Sequence, residues 1–411
     1  MLIETIQSTR RPMGSRRIGA GSVAFLSLFA AQSGLLALSP ILPSVAQDFD
    51  VSTATAGQLR TLLGLAGGLA AVTVVLFGRR VGLRRLLLAG NGLLLLGALA
   101  SAAAPTIAAL AAAQVAIGGA TGLLISGGLA AAATWPPPDR RPATIAWASL
   151  GQPASWVAGM PLIGATGSFG WRYAFLSVPL AAGLAGLAAV GATPRQHHAG
   201  APAQRAYRVR WDAKLFGWAA GELLSYAAWG GTLVYAGALL VESYHAGTGA
   251  VGLLLGAAAM AAFPGNLLVR RWLGGSSREL LVVLGLGAAA ITALFGTVRP
   301  GLMTSAAIFT ALVLLATART VAGSTFALYV TPERRLATMG IRASTGQFGY
   351  LVGAGIGGAA LAAGGYPLLG ITLAALFVGG AAPHIAAIAA VRWTPAPERA
   401  HRLHQVATSR A

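Results

Sequence analysis

The stretch "PPPDRRPAT", residues 136–144, recurs as "VTPERRLAT" at residues 330–338. Each copy joins a proline, an acid, an arginine pair and an Ala-Thr, and each lies between long apolar runs. Working outward, "TAGQLRTLLGL" (55–65) resembles "GTGAVGLLLGA" (247–257), with Gly57 over Gly249 and Gly64 over Gly256. The arginines at 79–80 recur at 270–271, and "SLGQ" (149–152) recurs as "STGQ" (344–347). "FGWRY" (169–173) has a faint echo in "GGYPL" (364–368). These matches keep chain order at an offset of about 190–195 residues, the mark of an internal repeat. Half of the chain has been duplicated.

Apolar residues make up 56% of the 411 residues and charged ones 9%, which leaves too little polar surface for a soluble globule of this size. A formal charge of +19 would by itself suit nucleic-acid binding. Here the charge alternates with apolar runs instead of covering one soluble face, and nucleic acid is excluded as a partner. A hydrocarbon core of about 30 Å takes roughly 20 apolar helical residues to cross. Such segments are expected at about 18–42, 57–78, 86–104, 106–134, 143–167, 172–192, 215–241, 249–269, 280–298, 301–330, 337–363 and 366–392. In lipid a run this long satisfies its backbone as a helix. The expected fold is therefore an all-α membrane protein, with twelve transmembrane helices in two pseudo-symmetric six-helix bundles related by an axis along the membrane normal.

Lys and Arg collect in cytoplasmic loops. With the N-terminus inside, Arg10, Arg11, Arg16 and Arg17, the pairs at 79–80, 84–85, 140–141, 270–271 and 334–335, the basic residues of 193–214 and the C-terminal arginines all fall on the cytoplasmic side. Only Arg60, Arg172 and Arg299 fall near the outer face. The expected organisation is a cytoplasmic tail (1–17), a first bundle (18–192), a cytoplasmic linker (193–214), a second bundle (215–392) and a cytoplasmic tail (393–411). The first 17 residues run into a full-length span without a convincing cleavage site, and so are expected to be a retained tail and not a signal peptide. Lys214 is the only lysine in an Ala/Gly-rich chain, a codon usage that points to a high-GC bacterium and hence to a bacterial inner membrane, with both termini cytoplasmic. With no cysteine, disulfides, thiolate catalysis and zinc-cysteine sites are excluded. His197, His198 and His245 are expected to be loop residues in solvent, and His384 to serve helix packing or a backbone hydrogen bond.

The turn "GRRVGLRRLLL" (78–88), set in this frame, resembles the major facilitator superfamily, in particular its twelve-helix drug and sugar exporters that exchange substrate for protons. The resemblance covers about 18 to 392. The family's signature between helices two and three is a Gly, three residues, Asp-Arg, one residue, Gly, then basic residues. Arg80, Gly82 and Arg84 match its second half, while Arg79 replaces the Asp and Val75 the first Gly. Where helix four of the exporters carries an Arg four residues before a Gly, this chain has Gln114 before Gly118. "GMPLIGATGSFGWRYAF" (159–175) is similar to the G-x-P-L and G-W-R-x-x-F elements of the efflux branch, with Gly151, Gly159, Pro161, Gly164, Gly170, Trp171 and Arg172 in place. Membrane glycines let helices approach and slide, and a proline frees a carbonyl and permits a bend. Small-residue packing explains the glycines nearly as well, but not the Gly-Trp-Arg.

The resemblance implies that helices 1, 4, 7 and 10 line a central cavity, and polar residues are indeed dense in the seventh and tenth segments. Glu222 and Arg319 are ionisable residues inside spans, where stranding a charge in lipid is costly. Counted from Lys214 and Val330 they lie about 12 Å and 16 Å from one face at 1.5 Å per residue, depths that suit an interhelical pair. Desolvation favours the neutral form of a carboxyl and a neighbouring arginine the charged form, so making and breaking such a pair would load and release a proton. The alternative is a static ion pair or an Arg319 that snorkels. Glu222, Tyr226 and Trp229 are spaced i, i+4, i+7 on one helix face. An aromatic wall beside an acid suits a cationic or amphipathic molecule, and packing is the alternative. Gln32, Gln114, Trp147, Gln152, Trp156, Tyr235 and Gln347 complete the cavity candidates, with hydrogen bonds that would also suit a sugar.

No paired carboxylates, metal cluster, nucleophile triad or phosphate-cradling loop stands in a membrane-compatible context, so neither an enzyme nor a cofactor is expected. The expected function is export of a small organic molecule by proton antiport, through alternating access of two bundles, by a monomer in the lipid bilayer. Proton-coupled or facilitated uptake shares the same fold. A non-transporting scaffold or sensor is the reading from another class, which the eroded Asp and Arg signatures favour.

Overall fold

The structure is a computed structural model that describes residues 19–193, 212–272, 277–330 and 335–390. Both tails, most of the linker with His197 and His198, and the turn after 330 lie outside the described residues. Among the described residues, ten helices are long and apolar enough to cross a membrane. One of these, Ser344–Ala389, contains two spans, because Gly364 and Gly365 leave helical geometry between them. A twelfth span, 141–167, is assembled from shorter pieces.

In chain order the membrane helices are α1 (Ala20–Asp48), α2 (53–81), α3 (Leu83–Ala102), α4 (Ile107–Thr134), α5 (141–167) and α6 (Trp171–Ala192). The second half holds α7 (Ala213–Tyr244), α8 (248–272), α9 (Ser277–Thr297), α10 (Leu302–Val330), α11 (335–363) and α12 (366–390). Starts are fixed by side-chain caps: Ser52 accepts from Thr55 N at 3.1 Å, Thr106 from Ala109 N at 3.2 Å and Asp212 from Leu215 N at 2.8 Å.

Three expected runs change, the second by starting four residues earlier, at Thr53. The first helix, expected to end near 42, continues past Pro40 and Pro43 to Asp48, with its helical pieces meeting at Ala37. The fifth, expected as one run over 143–167, is Arg141–Ser149, Gly151–Ala154, a π-turn at Ser155–Gly159 and Met160–Gly167. Pro153 and Pro161 lack the amide hydrogens a continuous helix needs, and the π-turn falls between them.

Within each half, α1–α6 and α7–α12 pack as bundles. The halves join from mid-membrane to the face opposite the start of α1, here called the far face. There the α5 and α8 backbones cross at Gly164 and Gly252: a Cβ on Gly164 would stand 2.7 Å from the Gly252 Cα. Pro161 fills the groove at Gly256. The pseudo-symmetric pair α2 and α11 crosses at Gly64, where a Cβ would meet the Leu351 backbone at 2.6 Å. On α1, Pro43 frees the Ser39 carbonyl, which lies against Gly237 of α7, and the Ser39 hydroxyl donates to Leu233 O at 2.6 Å.

Candidate functional site

Two polar sites lie in the membrane interior. In the second bundle, Glu222 (α7) is fully buried and paired with Arg319 (α10), and His384 Nε2 (α12) stands 3.4 Å from Glu222 Oε1. Gly323 and Gly221 make the space, since a Cβ on the first would strike the Glu222 carboxylate and one on the second the His384 ring. Trp218 Nε1 closes the site by donating to Gly323 O at 3.1 Å. Glu222 Oε2 and Arg319 Nε have no hydrogen-bond partner among the described residues. His384 was expected to serve helix packing or a backbone hydrogen bond; it bonds the Trp218 backbone and also stands against the acid.

The second site lies where the halves meet. Gln152 Nε2 (α5) donates to Gln32 Oε1 (α1) at 3.4 Å, and Gln32 is bonded to the Tyr350 hydroxyl (α11). Trp156 (α5) stacks on Trp229 (α7) with ring centres 5.6 Å apart, and Trp229 on Phe309 (α10) at 6.3 Å. Tyr226 accepts from Arg342 Nη2 (α11) at 2.9 Å. Gln347 lies against Gly67 of α2.

The expected wall of Glu222, Tyr226 and Trp229 separates into two environments. Glu222 turns to α10 and α12, whereas Tyr226 and Trp229 face α11 and α5, so the acid is already engaged and is not a free partner for a cation. Three cavity candidates lie elsewhere. Gln114 is sealed inside the first bundle, where its Nε2 donates to Ser101 Oγ at 3.1 Å. Tyr235 belongs to the far-face seam, with its hydroxyl on Ala354 O at 3.0 Å. Trp147 is 51% exposed at the near end of α5, stacked on Phe25.

Two arginines inside spans escaped the sequence reading. Arg60, expected near the outer face, is only 2% exposed, because α2 starts at Thr53 and not at 57, one turn earlier. The signal was Ser52, a capping residue ahead of "TATAG". Arg342 lies one turn beyond the start of the expected eleventh span, masked by the neighbouring pair at 334–335.

The chain matches the profile described as Major Facilitator Superfamily over residues 24–315. The chain belongs to that superfamily. Membership makes it a membrane transporter of small molecules and not an enzyme. No curated protein matches it. Among solved structures, the facilitator fold recurs in the bacterial homologue of the human lysosomal transporter Spinster, inward-facing and unoccupied (14% identity, 93% of this chain and 100% of that one, TM-score 0.66). It recurs in a D-xylose–proton symporter (15% identity, 89% and 96%, TM-score 0.68) and in the inward-open xylose transporter XylE from E. coli (13%, 89% and 94%, TM-score 0.70).

In this facilitator the glycine- and proline-rich segment 151–172 has a visible structural part. Gly151 lies against Phe25 O of α1, Gly159 beside Ser155 and Val178, and Pro161 and Gly164 against α8. Gly170, at φ +145°, turns the chain into α6. There Trp171 Nε1 and Arg172 Nη1 both donate to Asp48 Oδ2, at 3.1 and 2.8 Å, and Arg172 Nη2 donates to Ala104 O at 3.2 Å. Gly-Trp-Arg thus ties α1, α6 and the α3–α4 turn into a latch. At the degenerate signature, Gly82 (φ +83°) forms the turn and Arg84 Nη2 donates to Gly191 O at 3.3 Å, while the Arg80 side chain lies outside the described residues.

Proposed function

We propose that this transporter exports a small organic molecule by proton antiport, with Glu222 as the proton carrier and Arg319 and His384 as the groups that set its charge. The observation that carries the reading is the sealed cluster of three ionisable groups contributed by three different helices. Separating a buried charge from its partner costs about 3–5 kcal/mol. Any shift of α10 or α12 against α7 therefore favours a proton on Glu222, and its return favours release. The Gln32–Gln152–Tyr350 group and the Trp156–Trp229 stack supply the substrate surface between the halves.

The arginine distribution supports cytoplasmic termini in a bacterial inner membrane, with 193–214 as the linker between bundles at 18–192 and 215–392 and with 1–17 and 393–411 as tails. With the far face outside, the seam at Gly164–Gly252 and Ser39–Gly237 closes the outer side. A closed outer side is compatible with the inward-facing state described for the solved Spinster homologue and XylE. A second reading, uptake by symport, has one observation in its favour: the likeness to a D-xylose–proton symporter.

The test is proton flux in everted vesicles with a pH-sensitive dye, using drugs, dyes and sugars, with Glu222→Gln alongside. A compound should dissipate the gradient with the wild type and not with Glu222→Gln. Equal dissipation by both would place the carrier elsewhere.

A further inference from the structure

We infer that Arg60 is an anion-binding group between the two halves, and that the transported molecule is an amphiphilic organic anion whose carboxylate meets Arg60 and whose apolar part lies on the Trp156–Trp229 stack. This rests on the transporter reading above and narrows its substrate. Arg60 is 2% exposed, and its Nε and Nη1 are buried without a hydrogen-bond partner among the described residues. No ion pair to it is present among them. Its charge is close enough to act on Tyr350, which is bonded to Gln32, itself held by Gln152. Arg60 thus lies within electrostatic reach of the polar group shared by α1, α5 and α11.

The charge balance points the same way. Among the described residues, every acid except Glu222 sits at a helix end or in a turn, and Glu222 is engaged by Arg319 and His384. Arg342, whose Nε is also unpartnered, lies deeper toward the near face, where it bonds the Tyr226 hydroxyl and its charge acts on Glu222. An unpaired guanidinium inside a membrane protein is costly, and a site that keeps one there is built for a counter-charge. Its planar fork fits a carboxylate through two parallel hydrogen bonds, which an ammonium cannot match. A cationic substrate would meet Arg60 and be repelled.

The experiment titrates the purified full chain in detergent by calorimetry with benzoate, 1-naphthoate and decanoate, each beside its carboxamide and its primary amine. At least one carboxylate should bind, with its amide and amine roughly 30-fold weaker or more, the scale of losing one partner of a buried charge pair. Arg60→Met should weaken the carboxylate by a similar factor while leaving Tm unchanged or raised, because it removes a cation that has no internal partner. Arg60→Lys should retain part of the affinity. Failure of every carboxylate to bind, equal binding of an amide or amine, or undiminished binding by Arg60→Met would each overturn the assignment. So would a lowered Tm in Arg60→Met, which would mark a structural arginine. Carboxylate binding without proton movement would leave this assignment standing and remove the coupling through Glu222. Proton exchange driven by amines alone would do the reverse.

Discussion

Glu222→Gln, Arg319→Met and their combination test whether the buried cluster is held together by charge. The Glu222 carboxylate has no exposed surface and Arg319 is buried beside it. Glu222→Gln keeps an oxygen acceptor but leaves the guanidinium uncompensated in a low-dielectric site, at a cost near the lower end of the range for broken buried pairs, about 3 kcal/mol. Arg319→Met costs less, because the stranded acid can take a proton or keep His384, 3.4 Å away, as a protonated partner. The double variant removes both charges and should recover most of the loss. For a cooperative unit of 150–250 residues, 3 kcal/mol corresponds to roughly 6–12 °C in Tm. Thermal unfolding in detergent, followed by circular dichroism at several pH values, reads all four proteins. The Arg319→Met loss should shrink as the pH falls, since acid supplies the proton that Glu222 then needs. Single variants within 1 kcal/mol of the wild type, or losses that simply add in the double variant, would refute the reasoning and leave Glu222 without an electrostatic reason to change its protonation.

Gly164→Val sets branched carbons against the Gly252 backbone and the Thr248 carbonyl, neither of which can rotate away. It should force the far face apart, read as greater reactivity of a cysteine introduced at Thr53, which meets Glu242 across the seam, toward an impermeant thiol reagent. Unchanged reactivity would show that the seam tolerates the strain. The chain has no native cysteine, so Thr53→Cys with Glu242→Cys, replacing two side chains in contact across the seam, gives a clean crosslink. Oxidation should stop transport and reduction restore it, whereas transport through the oxidised pair would show that the far face need not open. Asp48→Asn removes the charge that holds Arg172, but both groups are about two-fifths exposed, so the loss of stability should be small, as for a solvent-screened surface pair. A drop several times larger would mean that the latch does more than tie α1 to α6.

The duplication and the membrane class were legible because both are carried by regular patterns, the repeated loops and the long apolar runs. So was the proximity of Glu222 to Arg319, since depth along a helix follows from residue count. What periodicity leaves open is the direction in which a side chain points around a helix that has neighbours on all sides. Gln114 and Tyr235 stand on helices expected to line the cavity, yet one turns into its own bundle and the other into the seam. Arg60 shows a different gap. An error of one turn in the start of α2 moved it from the interior to the rim, so its isolation could not be seen until the helix end was placed.

The two ends of the repeat also explain how one half can stay rigid while the seam between halves breaks. Glu242 stands at the same offset from Asp48 as "VTPERRLAT" from "PPPDRRPAT", and each acid lies in the last turn of the first helix of its half. Asp48 spends both its contacts inside its own bundle, on Trp171 and Arg172. Glu242 divides its two: Tyr366 of α12 donates to Oε2 at 2.9 Å, and Thr53, across the seam on α2, donates to Oε1. Arg299, from the turn before α10, lies over the Tyr366 ring and bonds the neighbouring Ser243, a similar contact to Arg172 over Trp171, although the repeat sets Pro367 opposite Arg172. The equivalent acids thus serve an internal strut in the first half and, in the second, both an internal contact and a bond between halves. Within this latch, parting of the far face breaks only the Thr53 contact, and the exposed carboxylate oxygen gains water in its place; the Ser39–Leu233 bond across the same seam is lost with it. A latch that loses one hydrogen bond to solvent on opening, and keeps its tyrosine throughout, holds the closed state by a small margin, which is what a seam that must part in every transport cycle requires.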